Sequence, residues 1–158
     1  MKVTLSCGKP TYKTYTVKGT DAPAVVKALN KSGEWGKYRP HFDFSASGKT
    51  KTAIDTVKVF AKPVITLPKW ANYRKITKGQ NSWDTMFKAL KKHEENHHAI
   101  FDAAAKGFKA ALERGGDLEP KQFSQAWASF EAEVEKAQKA YDRRTKHGQT
   151  EGVILNVW

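Results

Sequence analysis

Apolar positions change their spacing near residue 80, from twos to threes and fours, which predicts a β-rich part followed by a helical one. Residues 11–18 are rich in β-branched and aromatic side chains and stop at Gly19, as a strand does. A short helix follows. Thr20 or Asp21 can cap it, Pro23 suits its first turn, Val25, Val26 and Leu29 form its buried side, and residues 30–33 end it. Phe42, Phe44 and Ala46 then alternate with His41, Asp43 and Ser45. With the run 52–60 beyond the turn at Ser47, Gly48 and Lys49, they predict a hairpin over residues 38–60. Residues 62–68 are extended in character but carry proline near both ends. A proline gives a ladder no hydrogen bond, so this stretch is expected at a sheet edge, where it could align a guest strand, or outside the sheet as a connector.

From residue 81 to Gly115 and Gly116 the apolar residues keep one helical stripe: Trp83, Met86, Phe87 and Leu90, then Ile100, Phe101, Ala104, Phe108, Ala111 and Leu112. The gap in that stripe is filled, in phase, by His93 and His97, so both should face the interior. A second helix from about 118–120 carries Phe123, Trp127, Phe130, Val134, Ala137 and Tyr141. The short Gly-Gly turn makes the pair antiparallel, and equal rises of about 1.5 Å per residue set Tyr141 level with His93. The last apolar stretch reads as a C-terminal strand over 151–158. The expected architecture is one α+β domain spanning 1–158, with a β-rich part over 1–78 and a helical part over 79–148. Its small, mostly antiparallel sheet and short helix pack on a long antiparallel helical hairpin.

Composition narrows the setting. No apolar run approaches the roughly 18 residues of a membrane span, and the N-terminus lacks the apolar core of a signal peptide. Cys7 is the only cysteine, so no internal disulfide is possible. Residues 1–80 hold 16 Lys and Arg against 4 Asp and Glu, whereas residues 81–158 hold 12 against 12. A basic half beside a neutral one suits an acidic partner such as an envelope polymer, a lipid surface or nucleic acid, although scattered lysines also serve solubility alone.

The chemistry lies in the helical gap, where residues 93–97 read His-Glu-x-x-His. One helical turn brings His93 and His97 to one face, where two imidazoles can hold zinc, and Glu94 beside them can take a proton from an attacking water. Two histidines hydrogen-bonded within a core are the plainer reading. A catalytic zinc site needs a third protein ligand. The metzincin extension is excluded, because Ile100 and Ala103 stand where its glycine and third histidine would be. His147, beyond the second helix and beside Gly148, is the first candidate. Glu135, from the group Glu131, Glu133 and Glu135, and Asp142 are the alternatives. Tyr141 is a candidate donor to the oxyanion formed on attack, and Asp142 could also orient a ligand imidazole. His41 and His98 have no expected role.

The segments 93–98 and 141–148, together with the Tyr-x-Val-x-Gly strand at 15–19 and the Leu-Pro-Lys-Trp element ending at Trp70, resemble a bacterial domain family of unknown function described as predicted secreted zinc-dependent proteases of zincin-like type. The resemblance implies a metallopeptidase with one zinc ion, His93 and His97 as ligands, and Glu94 as base, and it adds weight to His147. It also implies a protein or peptide substrate, one associated with the cell envelope included, and a secreted or periplasmic location. Nucleic acid is not an expected partner on this reading. The competing expectation is a metal-stabilised, non-enzymatic module that binds an acidic polymer through its basic half. Oligomeric state is not legible in the residues.

Overall fold

In a computed structural model that describes residues 1–158, the chain is α+β. Its strands are β1 (Lys2–Cys7), β2 (Thr11–Val17), β3 (Lys37–Arg39), β4 (Phe42–Ser47), β5 (Thr56–Ala61) and β6 (Val64–Trp70). Its helices are α1 (Ala22–Lys31), α2 (Gln80–Gly115) and α3 (Pro120–Thr145), with 3-10 turns at Thr77–Gly79 and Gln149–Glu151. No helix is long and apolar enough to cross a membrane. The chain forms two compact units, each assembled from three separate segments.

The first unit holds residues 1–10, 40–63 and 98–140. Its sheet has the order β1-β5-β4, with β5 parallel to β1 and antiparallel to β4. The β4–β5 pair is the hairpin that the alternation predicted, but with narrower bounds than 38–60: residues 37–39 form β3, which pairs with β6, and the second strand begins at Thr56. Val57, Val59 and Ala61 are buried along β5, while Phe42 and Phe44 project from β4 into an aromatic cluster. Phe42 lies 5.1 Å from Phe101 and 5.5 Å from Phe130, Phe44 lies 4.6 Å from Trp127, and Phe108 stacks on Phe130 at 4.5 Å. Each such pair contributes about 0.5–1.5 kcal/mol beyond its buried area. The cluster therefore fastens the sheet to the antiparallel portions of α2 and α3 within this unit.

The second unit holds residues 11–39, 64–97 and 141–158. Its sheet has the order β2-β6-β3, with β6 parallel to β2 and antiparallel to β3. Asp21 caps α1 by accepting from the Ala24 amide at 2.8 Å, and Val25 and Leu29 are fully buried. Trp70, at the end of β6, packs on Trp83 of α2 at 5.7 Å and on Trp158 at 5.2 Å.

Three expectations are corrected. The strands form two mixed three-stranded sheets, not one mostly antiparallel sheet, because each sheet is centred on a long-range parallel pair that local patterning does not encode. Residues 64–70 are the central strand of the second sheet, not an edge or a connector. Pro68 is tolerated there because β3 pairs only with Val64, Ile65 and Thr66, leaving one flank of β6 without a ladder partner at Pro68. Residues 152–158 form no strand. Val153 and Leu155 are buried, but the Val153 amide bonds back to Gly148 and Asn156 is fastened to Ser82, so no ladder forms.

Candidate metal centre

The second unit brings His93, Glu94 and His97 of α2 together with Tyr141 and Asp142 from the last turns of α3. The histidines lie in phase with the core stripe and are buried, His93 at 3% and His97 at 7% exposure. Their Nε2 atoms are 3.2 Å apart, and Asp142 Oδ1 lies 3.2 Å from His93 Nε2 and 2.9 Å from His97 Nε2. Three donors about 2.0–2.1 Å from one tetrahedral ion would stand roughly 3.3 Å apart. The observed triangle is close to that spacing, and two imidazoles with a carboxylate are a donor set suited to zinc. His93, His97 and Asp142 could therefore hold one metal ion.

Packing fixes the rings. Tyr141 stacks on His93 with centroids 4.9 Å apart and planes 19° apart, and it meets His97 edge-on at 4.8 Å. Tyr38 of β3 lies parallel to His97 at 6.4 Å. The level of Tyr141 along α3 is the one that counting helical rises predicted. Its hydroxyl, however, donates to Glu151 Oε1 at 2.7 Å and accepts from Asn96 Nδ2 at 2.9 Å. Burial pushes the phenol above its usual range, with the Glu151 carboxylate adding to that effect and the Asn96 bond opposing it. The proton expected to serve an oxyanion is directed at a carboxylate.

Glu94 is 4% exposed. A Cβ on Gly36 would come within 2.6 Å of Glu94 Oε1 and 2.8 Å of Leu90 Cδ1, so the backbone before β3 lies directly against this carboxylate and a larger residue there would have to displace it. Burial, then the charges of Asp142 and Glu34, push the Glu94 carboxyl up to about 8, with Arg39 opposing. It takes no part in the hydrogen bonds that join the histidines and Asp142, and it directly follows His93 on α2.

The end of α3 decides which residues reach the centre. Lys146, His147 and Gly148 are successive left-handed residues, with φ of 50, 54 and 84°. The His147 amide bonds to Asp142 O at 2.8 Å, while the Thr145 hydroxyl donates to Tyr141 O and accepts from the Gly148 amide. This turn leaves the His147 side chain 78% exposed, with Nδ1 3.8 Å from Asp142 Oδ1. Asp142, the alternative third ligand, joins the two histidines, and His147 stands at the rim. Glu135 belongs to the first unit, where it is exposed and paired with Lys139.

Beyond Gly148 the 3-10 turn returns Glu151, whose Oε2 lies 2.7 Å from His93 Nδ1. Burial pushes the Glu151 carboxyl up, but the hydrogen bonds and charges of His93, Tyr141 and His97 outweigh it and hold the group below its ordinary value. Neither Glu151 nor Asn96 was expected at the site. The available signal was Gly148, which allows the chain to turn back; it brings back a residue three places further on.

A family model described as "Bacterial protein of unknown function (DUF922)" matches residues 12–148. No curated protein and no solved structure gives a significant match.

Proposed function

This chain belongs to the bacterial family DUF922, whose function is unknown, and we propose that it is a zinc-dependent metallopeptidase in which His93, His97 and Asp142 hold the ion and Glu94 is the general base. The observation that carries the reading is the donor triangle of two buried histidines and a half-buried aspartate, with edges of 2.9–3.2 Å, next along the helix to the desolvated carboxyl of Glu94. When bound, zinc supplies a Lewis acid for the scissile carbonyl, lowers the pKa of a water to near 7, and favours the ionised form of Glu94. Glu94 takes one proton from the attacking water as the water oxygen bonds to the carbonyl carbon. It returns that proton to the amide nitrogen as the C–N bond breaks, leaving a carboxylic acid and an amine. The Tyr141 ring, stacked on His93 and edge-on to His97, holds the imidazoles in place, and the burial of Glu94 keeps its carboxylate from being levelled by water. The secreted or periplasmic setting and the peptide substrate come from the resemblance alone.

The test has two parts. Purified protein should contain close to one zinc per chain by elemental analysis and lose it to a chelator. Glu94→Gln should retain the zinc and lower peptide hydrolysis by about 10²–10⁴-fold, the contribution typical of a general base. A wild-type protein that holds zinc, cleaves no protein or cell-wall peptide, and binds an acidic polymer in a salt-dependent way would favour the non-enzymatic reading instead.

A further inference from the structure

Residue 151 lies outside the segment matched by the family model, yet its side chain makes the shortest polar contact to His93. We infer that Glu151 is the positioning residue for His93: its carboxylate accepts the Nδ1–H and thereby leaves the Nε2 lone pair facing Asp142 and His97, with Tyr141 and Asn96 locking the carboxylate in that orientation. This rests on the metal reading above for its consequence, though not for its geometry.

An imidazole with one proton has two tautomers, and only the one protonated at Nδ1 can donate an Nε2 lone pair to an ion. His93 has a carboxylate near each nitrogen, with Glu151 Oε2 2.7 Å from Nδ1 and Asp142 Oδ1 3.2 Å from Nε2. The shorter contact has the length of a charge-assisted bond and favours the proton on Nδ1. Glu151 is itself constrained: the Tyr141 hydroxyl donates to both of its oxygens, at 2.7 and 2.9 Å, and that hydroxyl accepts from Asn96 at 2.9 Å. The chain Asn96–Tyr141–Glu151–His93 thus draws on α2, α3 and the turn after Gly148. Tyr141 acts twice, through its stacked ring on the orientation of His93 and through its hydroxyl on the tautomer. Such carboxylate–histidine pairs behind a metal ligand typically change metal affinity by about 10–100-fold.

Two variants separate positioning from ligation. Glu151→Ala removes the acceptor, whereas Glu151→Gln keeps an amide oxygen that can still take the Nδ1–H. Zinc affinity, measured by competition with a chelator, should fall about 10–100-fold in Glu151→Ala and only a few-fold in Glu151→Gln. In nitrogen-15 spectra of the histidines, the exchange-protected Nδ1–H of His93 should be present in wild type and Glu151→Gln. It should be lost in metal-free Glu151→Ala, which is the deciding comparison, since zinc on Nε2 would itself keep a proton on Nδ1. Tyr141→Phe keeps the stacked ring and tests the network should the alanine variant fold poorly: it should show an intermediate loss of affinity, and wild-type affinity would remove the tyrosine from the network. Undiminished affinity in Glu151→Ala overturns the inference. So does a Glu151→Gln variant that loses zinc as completely as His97→Ala, because Glu151 would then be a ligand. If the wild type takes up no zinc, the metal reading falls, while the spectra of the metal-free protein still decide the tautomer.

Discussion

Replacing Glu94 with glutamine should stabilise the metal-free protein, and only above mildly acidic pH. The side chain is 4% exposed, and its carboxyl is raised from 4.5 to about 8 by burial and by the charges of Asp142 and Glu34. Between those values the folded chain keeps the proton and the unfolded chain releases it. Unfolding therefore releases a proton and becomes easier as pH rises through this window, by about 1.4 kcal/mol per pH unit. At pH 7 the accumulated penalty is about 3 kcal/mol. Glutamine matches the protonated carboxyl in size and cannot ionise, so it escapes the penalty. For a chain of this size that corresponds to a rise in Tm of about 6–12 °C. The assay is thermal unfolding of wild type and Glu94→Gln in a chelator at pH 4.5, 6 and 7.5, with the difference between the proteins read at each pH so that other titrating groups cancel. The difference should be near zero at pH 4.5 and grow with pH. A Glu94→Gln variant no more stable than wild type at pH 7.5, or equally more stable at every pH, would refute the assignment of a buried, proton-retaining carboxyl at this position.

Asp142→Ala should reduce zinc affinity as severely as His97→Ala, whereas His147→Ala should retain most of it, because the His147 ring is 78% exposed; chelator competition on the three variants measures this. Gly148→Ala should destabilise the protein by more than about 1 kcal/mol in denaturant unfolding and weaken metal binding with it. A Cβ at that φ of 84° would stand 2.6 Å from Val153 Cγ2 and 3.2 Å from the His93 ring. Phe101→Ala, which empties a fully buried site facing Phe42, should cost about 3–5 kcal/mol by the same measurement.

Helical phase carried most of what could be read from the residues. His93 and His97 replace apolar residues on a stripe of threes and fours, and this one fact is enough to locate them in the interior. Counting rises back from the Gly-Gly turn likewise set Tyr141 beside His93. The hairpin of β4 and β5 was legible because both its alternation and its turn are local. The centrality of β6 was not, since its partners β2 and β3 are chosen by long-range pairing and its prolines argue the other way. At the centre itself, the sequence offered both Asp142 and His147 close to the helix end. The choice between them turns on the left-handed run at 146–148, which directs His147 outward and sends the chain on to Glu151. Gly148 marks a turn, but its direction depends on bonds made by Thr145 and Asp142 that no spacing rule supplies.

The two parallel strand pairs have a consequence for how the chain acquires its structure in time. Lys2 pairs with Thr56 in one sheet and Thr11 with Val64 in the other, so each pairing must wait for about fifty residues of intervening chain. At ribosomal rates of roughly 5–20 residues per second, β1 and β2 each emerge some 3–10 s before a partner exists for them. During that interval they are unpaired, β-prone segments, and the lysines in and just beyond them, Lys2, Lys9, Lys13 and Lys18, act as gatekeepers against pairing with other chains. His93 and Glu151 are 58 positions apart, so the centre is subject to the same delay. A chain ordered so heavily by distant contacts should fold slowly for its size, in the range of milliseconds to seconds. Metal capture should then follow formation of the core, since no local stretch holds three of the donors.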